Sequence, residues 1–291
     1  MTFDPYSCED VSVLNEMVDN VYVLNLEKDF FKYKILKKKL NEKNIEHERF
    51  IAIDGYGGSL GLEQKEKNFN KVLDSYRGEP FFSEILKSGA TVLSNSLGAF
   101  RSQGAMGCLL SHEKIIADAK KQGYEKICIF QDDIYFHINF DKMLEKSREN
   151  IKNSAIFYLG ATEHLQWLKK ERWNDPNWMF QRFKYHHYWM TEKTYGMFAV
   201  IIDKKIFDSL LRLMSFNYFA ADQCLALAGT LMFDRNGMVS WPNMVMPDAS
   251  FSNTFSKASF GEGVGHRDFE EHSKKMGWNL NYYDLSERYY E

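Results

Sequence analysis

An α/β architecture, an open and mostly parallel sheet with helices on both faces, is expected for this 291-residue chain on three grounds. Short apolar runs rich in β-formers recur along it, amphipathic stretches lie between them, and several runs end abruptly in Asn or Asp. The first run, Val21-Tyr-Val-Leu-Asn25, reads as a buried strand; the Lys-rich stretch Phe30–Asn41 then places Ile35, Leu36 and Leu40 at helical spacing. Phe50–Ile53 gives a second strand, which Asp54-Gly55 stops with turn chemistry. Strand, helix and strand make one βα unit with parallel pairing. Gly104–Gly123 is an amphipathic helix through Leu109, Leu110, Ile115, Ile116 and Ala119, closed by Gly123. Lys126–Phe130 is an apolar strand that runs straight into Gln131-Asp132-Asp133. Ile156–Gly160 and Thr194–Ile202 repeat the strand signal, and a helix follows at Lys204–Met214. A short helix at Asp222–Gly229 precedes strands at Thr230–Phe233 and Met238–Trp241, while residues 61–90 are charged and helical in part.

No repeat, low-complexity stretch or Pro/Ser linker divides the chain. A leader over 1–18, one domain over 19–260 and a polar C-terminal segment over 261–291 that packs on the same domain are expected. Lys and Arg number 37 against 40 Asp and Glu, and a net charge of −3 argues against a nucleic-acid partner, which would require a surplus of cations. The longest apolar runs, such as Met197–Ile202, fall far short of the roughly 20 residues that cross a bilayer, so no transmembrane segment is expected. The opening MTFDPYSCEDVSV lacks the cationic and apolar blocks of a secretory signal. The four cysteines are scattered, and Cys108 and Cys128 lie inside apolar runs as reduced thiols do. A reducing compartment, the cytoplasm, is the expectation.

Sheets of this kind bind ligands at the carboxyl ends of their strands, which places Asn25, Asp54 and the pair Asp132/Asp133 on one rim. Two carboxylates leaving a buried strand are costly to bury unpaired. As hard oxygen donors they suit Mg²⁺ or Mn²⁺, ions that complete their shell with phosphate oxygens and water and act as Lewis acids. Taken alone, the pair also fits a simple strand-ending turn.

Three blocks in order resemble glycosyltransferase family 25, the group that includes lipooligosaccharide and collagen galactosyltransferases. Val21-Tyr-Val-Leu-Asn-Leu26 is similar to the family's opening strand with its Asn-Leu, and Glu48-Arg-Phe-Ile-Ala-Ile-Asp-Gly55 to its "eRf-x-A-x-D-G" turn. Gly104-Ala-Met-Gly-Cys-Leu-Leu-Ser-His112 followed by Ile127–Asp133 is similar to its "G-x-x-G-C-x-x-S-H" helix start and "E-D-D" strand end. Tyr195–Ile202 and Ala221-Asp222-Gln223 match later blocks, so the resemblance covers roughly residues 20–255. Gln131 stands where the family triplet begins with Glu, and Lys28 and Lys32 stand where it offers arginines, able to meet a phosphate but without Arg's planar fork. Gly104-Ala105 stands where Glu often follows the glycine.

The resemblance implies a GT-A-like fold and transfer of a hexose, galactose or glucose, from a UDP-sugar to a glycan or hydroxylated acceptor, generally with inversion and often with Mn²⁺ (or Mg²⁺). Asp133 would then be the principal metal ligand, and Asp132 would contact ribose or the metal. Asn25, Leu26 and Asp54 would line the nucleotide pocket. Asp222 is the candidate base for the acceptor hydroxyl, an N-cap being the other reading of that residue. Ser111 and His112, with Arg101, would face the diphosphate or donor sugar near a helix N-terminus, while the alternative for His112 is a satisfied structural histidine. Adjacent Ser and His cannot pair as nucleophile and base. The aromatics of 164–190 read as core, as an acceptor platform, or as a stacking surface for single strands that the acidic balance opposes. Gly261–Gly265 would be a loop closing over the donor, with His266 a third metal ligand. Two rivals remain: a family member that binds without turnover, and a glycoside hydrolase, which needs two carboxyls about 5–9 Å apart rather than side by side.

Overall fold

Alternate residues of the central strands belong to two separate apolar clusters, so the sheet is buried on both faces. In the computed structural model, which describes residues 11–55, 103–162, 186–189, 194–215, 217, 219–229, 236–248, 268–276 and 278–290, the strands are β1 (Asn20–Asn25), β2 (Glu48–Ile51), β3 (Lys126–Gln131), β4 (Ile134–Phe136), β5 (Ile156–Tyr158), β6 (His186–Trp189), β7 (Ala199–Asp203), β8 (Gly237–Trp241) and β9 (Val245–Pro247). Among them run helices α1 (Phe30–Glu42), α2 (Gln103–Gln122), α3 (Phe140–Asn153), α4 (Phe207–Ser215), α5 (Ala221–Leu227) and α6 (Phe269–Met276). Seven strands form one sheet in the order β2-β1-β3-β7-β5-β8-β6, and β4 pairs with β9 apart from it. β1 is parallel to both β2 and β3, and β5 to β8; β7 and β6 run against their neighbours. Most strands therefore point one way, as expected for an α/β sheet.

Tyr22, Leu24, Ile127, Ile129, Tyr158 and Val200 pack under α2, α4 and α5, whereas Val21, Val23, Cys128, Phe130, Phe157 and Ile201 face α1 and α3. Burial on both sides explains why these strands read as near-continuous apolar runs instead of alternating ones. Leu14 and Val18, ahead of β1, are buried in the second cluster, as are Trp278, Tyr283 and Tyr289 near the C-terminus. Tyr289 ties that end down, its hydroxyl donating to the Ile134 carbonyl at 2.7 Å.

The stretch 134–153, to which the sequence reading assigns no element, forms β4 and α3. The apolar positions of α3 sit among ten polar or charged neighbours, with Ser147 occupying the buried place one turn after Met143. The strand expected from Thr194 becomes regular only at Ala199. Gly196 breaks it, with a φ of +98° that few L side chains adopt. Asp222–Gly229 becomes α5, which starts one residue earlier at Ala221. The expected elements at 61–90 and 230–233 lie outside the described residues, as does most of the aromatic stretch 164–190. No described helix is long and apolar enough to cross a membrane, and Cys108, Cys128 and Cys224 are free thiols.

Candidate active site

Parallel pairing of β1 and β3 puts Leu24 opposite Gln131, so the next residues, Asn25 and Asp132, leave the sheet side by side. Asn25 is buried. Its Nδ2 donates to Asp132 Oδ2 at 2.5 Å and to the Asp29 carbonyl at 3.0 Å, while its Oδ1 accepts from Arg49 Nε at 2.8 Å and Nη2 at 2.6 Å. Asp54, at the exit of β2, is held by Lys28 at 2.7 Å. The structure thus brings Asn25 and Asp132 into direct contact, while Asp54 bonds Lys28 in the turn that follows Asn25.

Helix α1 adds a cation that the sequence reading names only as a phosphate contact. The stripe Lys32, Leu36, Lys39 and Leu40 faces inward, and the Lys32 side chain is 3% exposed. Its Nζ lies 3.6 Å from Asp29, 3.9 Å from Asp132 and 3.7 Å from Asp133, with the Tyr290 ring 4.8 Å away. Burial works against the ammonium, but the Asp133 and Asp132 carboxylates overcome it and hold Lys32 above the usual lysine range. The acids bear the opposite burden. Asp133 is raised to about 7: burial lifts it most, Lys32 pulls it down, and Asp132 and Asp248 push it up. Burial also raises Asp132, offset by Lys32 and by the Asn25 hydrogen bond. Asp248 donates its backbone N–H to the Asp133 carbonyl at 2.6 Å and takes the Tyr135 hydroxyl on its carboxylate at 2.7 Å.

Across the strand end stands α2. A Cβ on Gly107 would meet the Ile53 carbonyl oxygen at 2.6 Å and Gly55 N at 2.7 Å, and one on Gly55 would meet the Gln103 carbonyl at 1.8 Å. These two glycines let the turn after β2 lie directly on the first turn of α2. Ser111 fastens the contact: its hydroxyl accepts from Ile53 N at 2.8 Å and donates to the Gly107 carbonyl at 2.6 Å. With Ser111 fully buried, the geometry makes it a tether between elements. His112, also fully buried, donates from Nδ1 to the Cys108 carbonyl at 2.8 Å, and burial lowers its pKa so that it stays neutral.

Asp222 lies in the first turn of α5. The cap is Ala220, whose N–H Gln223 reaches back to accept at 3.2 Å, so the N-cap reading of Asp222 is replaced by a first-turn position. Its carboxylate accepts from Gln223 N at 2.9 Å and from Gly196 N at 3.4 Å, and burial raises its pKa. The Cys108 thiol is pushed up to about 12, chiefly by burial, with Asp222 and then Asp133 adding to the rise. Tyr158, fully buried, is raised by burial and by Asp222.

The profile of glycosyltransferase family 25 (LPS biosynthesis protein) matches residues 18–225, more than half of the chain. The chain belongs to glycosyltransferase family 25. It is 31% identical over 102 residues to "Probable inactive glycosyltransferase 25 family member 3" of Rattus norvegicus, 32% of this chain and 18% of that protein. To "Procollagen galactosyltransferase 1-A" of Xenopus laevis it is 25% identical over 146 residues, 49% of this chain and 21% of that one. To a putative glycosyltransferase of Acanthamoeba polyphaga mimivirus it is 28% identical over 158 residues, 52% of this chain and 40% of that protein. The matched stretches span less than half the length of these relatives.

The family blocks fall where the geometry needs them. The Asn-Leu block supplies Asn25, with Leu26 half-buried at the rim; the Arg-Phe and Asp-Gly block supplies Arg49, Asp54 and Gly55, and the Gly-Cys and Ser-His block supplies the tether. Arg101 and His266 lie outside the described residues. Among the described residues, no group of three or more His, Cys, Asp or Glu side chains is placed to hold a metal ion. Asp29, Asp248 and Tyr290 join the cluster with no sequence signal, whereas Arg49 lies in the Glu48–Gly55 block that resembles the family, without a role assigned to it there.

Proposed function

We propose that this chain is a glycosyltransferase that moves a hexose, galactose or glucose, from a UDP-sugar to a glycan or hydroxylated acceptor with inversion, assisted by Mn²⁺ or Mg²⁺. The observation that carries this reading is the surplus of carboxylate at the β3 exit, where Asp29, Asp132 and Asp133 share the single buried ammonium of Lys32 within 4 Å. Excess negative charge on hard oxygen donors fits a hard divalent cation. Because no third side chain gathers among the described residues, Asp133 and Asp132 would hold the ion and the donor's phosphate oxygens and water would complete its shell. When bound, such an ion supplies charge to the leaving diphosphate.

The remaining roles belong to this chain's own side chains. Asn25, Leu26 and Asp54 form the wall on which uridine and ribose would rest, and Asp132 is the acceptor nearest that wall. Ser111 shapes the pocket from behind by fixing the turn at Ile53–Gly55 to α2, and the neighbouring His112 is held within that helix by the Cys108 carbonyl. Asp222 takes the acceptor's hydroxyl proton: each carboxylate oxygen receives one backbone N–H and keeps a second acceptor site, and its raised proton affinity suits a general base. The buried free thiols fit a reducing compartment such as the cytoplasm.

A second reading, binding without turnover, draws on Gln131 and on relatives named as inactive. Incubation with UDP-galactose and UDP-glucose separates the readings. Transfer releases UDP and yields a product with inverted anomeric configuration, and Asp222→Asn slows turnover by about 10²–10⁴-fold while UDP affinity stays unchanged. Tight UDP binding with no product from any acceptor supports the binding reading, and glycan cleavage without nucleotide defeats both.

A further inference from the structure

The acidic rim has a support that touches neither acid. An Asn side chain can lie in either of two orientations, with its oxygen and nitrogen exchanged, and the hydrogen-bond partners decide which. At Asn25 the decision is forced from β2. Arg49 presents two N–H groups, at 2.8 Å and 2.6 Å, to one end of the amide. A guanidinium only donates, so that end must be Oδ1, and its two lone pairs are filled. The other end is therefore Nδ2, and its two hydrogens go to the Asp29 carbonyl at 3.0 Å and Asp132 Oδ2 at 2.5 Å. Reversed, the amide would set its oxygen against a carboxylate oxygen and its NH₂ against a guanidinium, both repulsive.

Arg49 is itself held in place. Its guanidinium carbon lies 4.5 Å from the Phe30 ring centre and 5.2 Å from that of Tyr33. The two rings stack at 5.9 Å with an interplanar angle of 29°. Phe30 is 42% exposed, a cost that core packing does not explain and a cation clamp does. Register sets Arg49 opposite Val23, two residues before Asn25 on β1, within reach of a side chain running along the strand.

We infer that Arg49 is a positioning residue of the donor site: clamped by Phe30 and Tyr33, it fixes the Asn25 amide so that Nδ2 holds Asp132 in the orientation in which the acid pair receives a divalent cation. This rests on the proposed metal-assisted reading for its ligand, and on the hydrogen-bond chain alone for its geometry.

The test uses the full chain with Arg49→Met, Arg49→Lys, Asn25→Ala and the Arg49→Met/Asn25→Ala double variant. Free Mn²⁺ is counted by electron paramagnetic resonance, and the Asn25 side-chain amide is followed by ¹H–¹⁵N NMR. Arg49→Met is expected to weaken Mn²⁺ binding about 10–100-fold, the usual cost of losing an outer hydrogen-bond partner. Arg49→Lys, which keeps the charge but lacks the fork, fails to restore it. Asn25→Ala matches Arg49→Met, and the double variant is no worse than Asn25→Ala, because one residue acts through the other. In the wild type, one Asn25 Nδ2 proton resonates downfield from its carboxylate bond, and both Arg49 variants lose that signature. Unchanged Mn²⁺ affinity in folded Arg49→Met, or losses that multiply in the double variant, would overturn the inference. Should Arg49→Met not fold, Arg49→Lys carries the same comparison. If the wild type itself takes no Mn²⁺, the functional reading fails alone and the amide decides: a signal unmoved by either Arg49 variant removes the positioning role as well.

Discussion

Lys32 reaches the acidic rim with almost no solvent around it, and three carboxylates share its charge within 4 Å. Removing one partner of a buried ion pair strands the others, so Lys32→Met is expected to lower folding stability by about 3–5 kcal/mol, read from urea unfolding. A loss below about 1 kcal/mol would mean that solvent screens the cluster as it does a surface pair. Asp133 adds a pH signature. Its pKa is about 7 in the fold against 3.8 for the ordinary side chain, so between those values the native state binds more proton than the unfolded one. The contribution of Asp133 is therefore fully present below about 4 and is lost as pH rises through about 7. Urea midpoints at pH 5 and pH 8 should show wild type losing stability relative to Asp133→Asn as pH rises. Lys32 was half legible: its spacing to Leu36 and Leu40 places it on the buried stripe of α1, yet a lysine on such a stripe more often carries its charge out to solvent.

At the scale of elements, the turn after β2 and the first turn of α2 meet backbone to backbone, and that contact fixes the turn that carries Asp54. Gly107→Ala would place a Cβ 2.6 Å from the Ile53 carbonyl oxygen. The expected loss is about 1–3 kcal/mol, the usual range for overpacking, measured by thermal unfolding together with weaker nucleotide binding as the turn lifts. A variant as stable as wild type would show that the turn and helix are not in contact. The glycines of both motifs were visible in the sequence, but not that they touch, because they stand 52 positions apart. Ser111 shows the same limit: its position in the motif and its local bond to the Gly107 carbonyl are readable, whereas its bond from Ile53 N follows from tertiary packing. Helix α3 escaped for a different reason. Its stripe of Phe140, Met143, Leu144 and Ile151 is interrupted at Ser147, which satisfies itself by donating to the Met143 carbonyl at 2.7 Å and so tolerates burial.

For the whole molecule, the legible part is the part whose chemistry is one-dimensional. β1 and β3, buried on both faces, announce themselves as apolar runs, and their polar ends mark where a parallel sheet opens to ligand. Strands β4 and β9, three residues each, are too short to carry a period, and antiparallel β7 looks like any other apolar run. The cluster around the acids draws on residues from position 29 to position 290, and no local pattern joins those. The central claim is that the acid pair at the end of β3 grips the pyrophosphate of an activated sugar through a divalent cation. Calorimetric titration of UDP into wild type and Asp133→Asn, with Mn²⁺ present and after chelation, tests it most directly. The account predicts heat only for wild type with Mn²⁺, and a loss in the variant beyond the roughly 10–100-fold that an outer hydrogen-bond partner is worth; UDP affinity indifferent to both the ion and the substitution would contradict it.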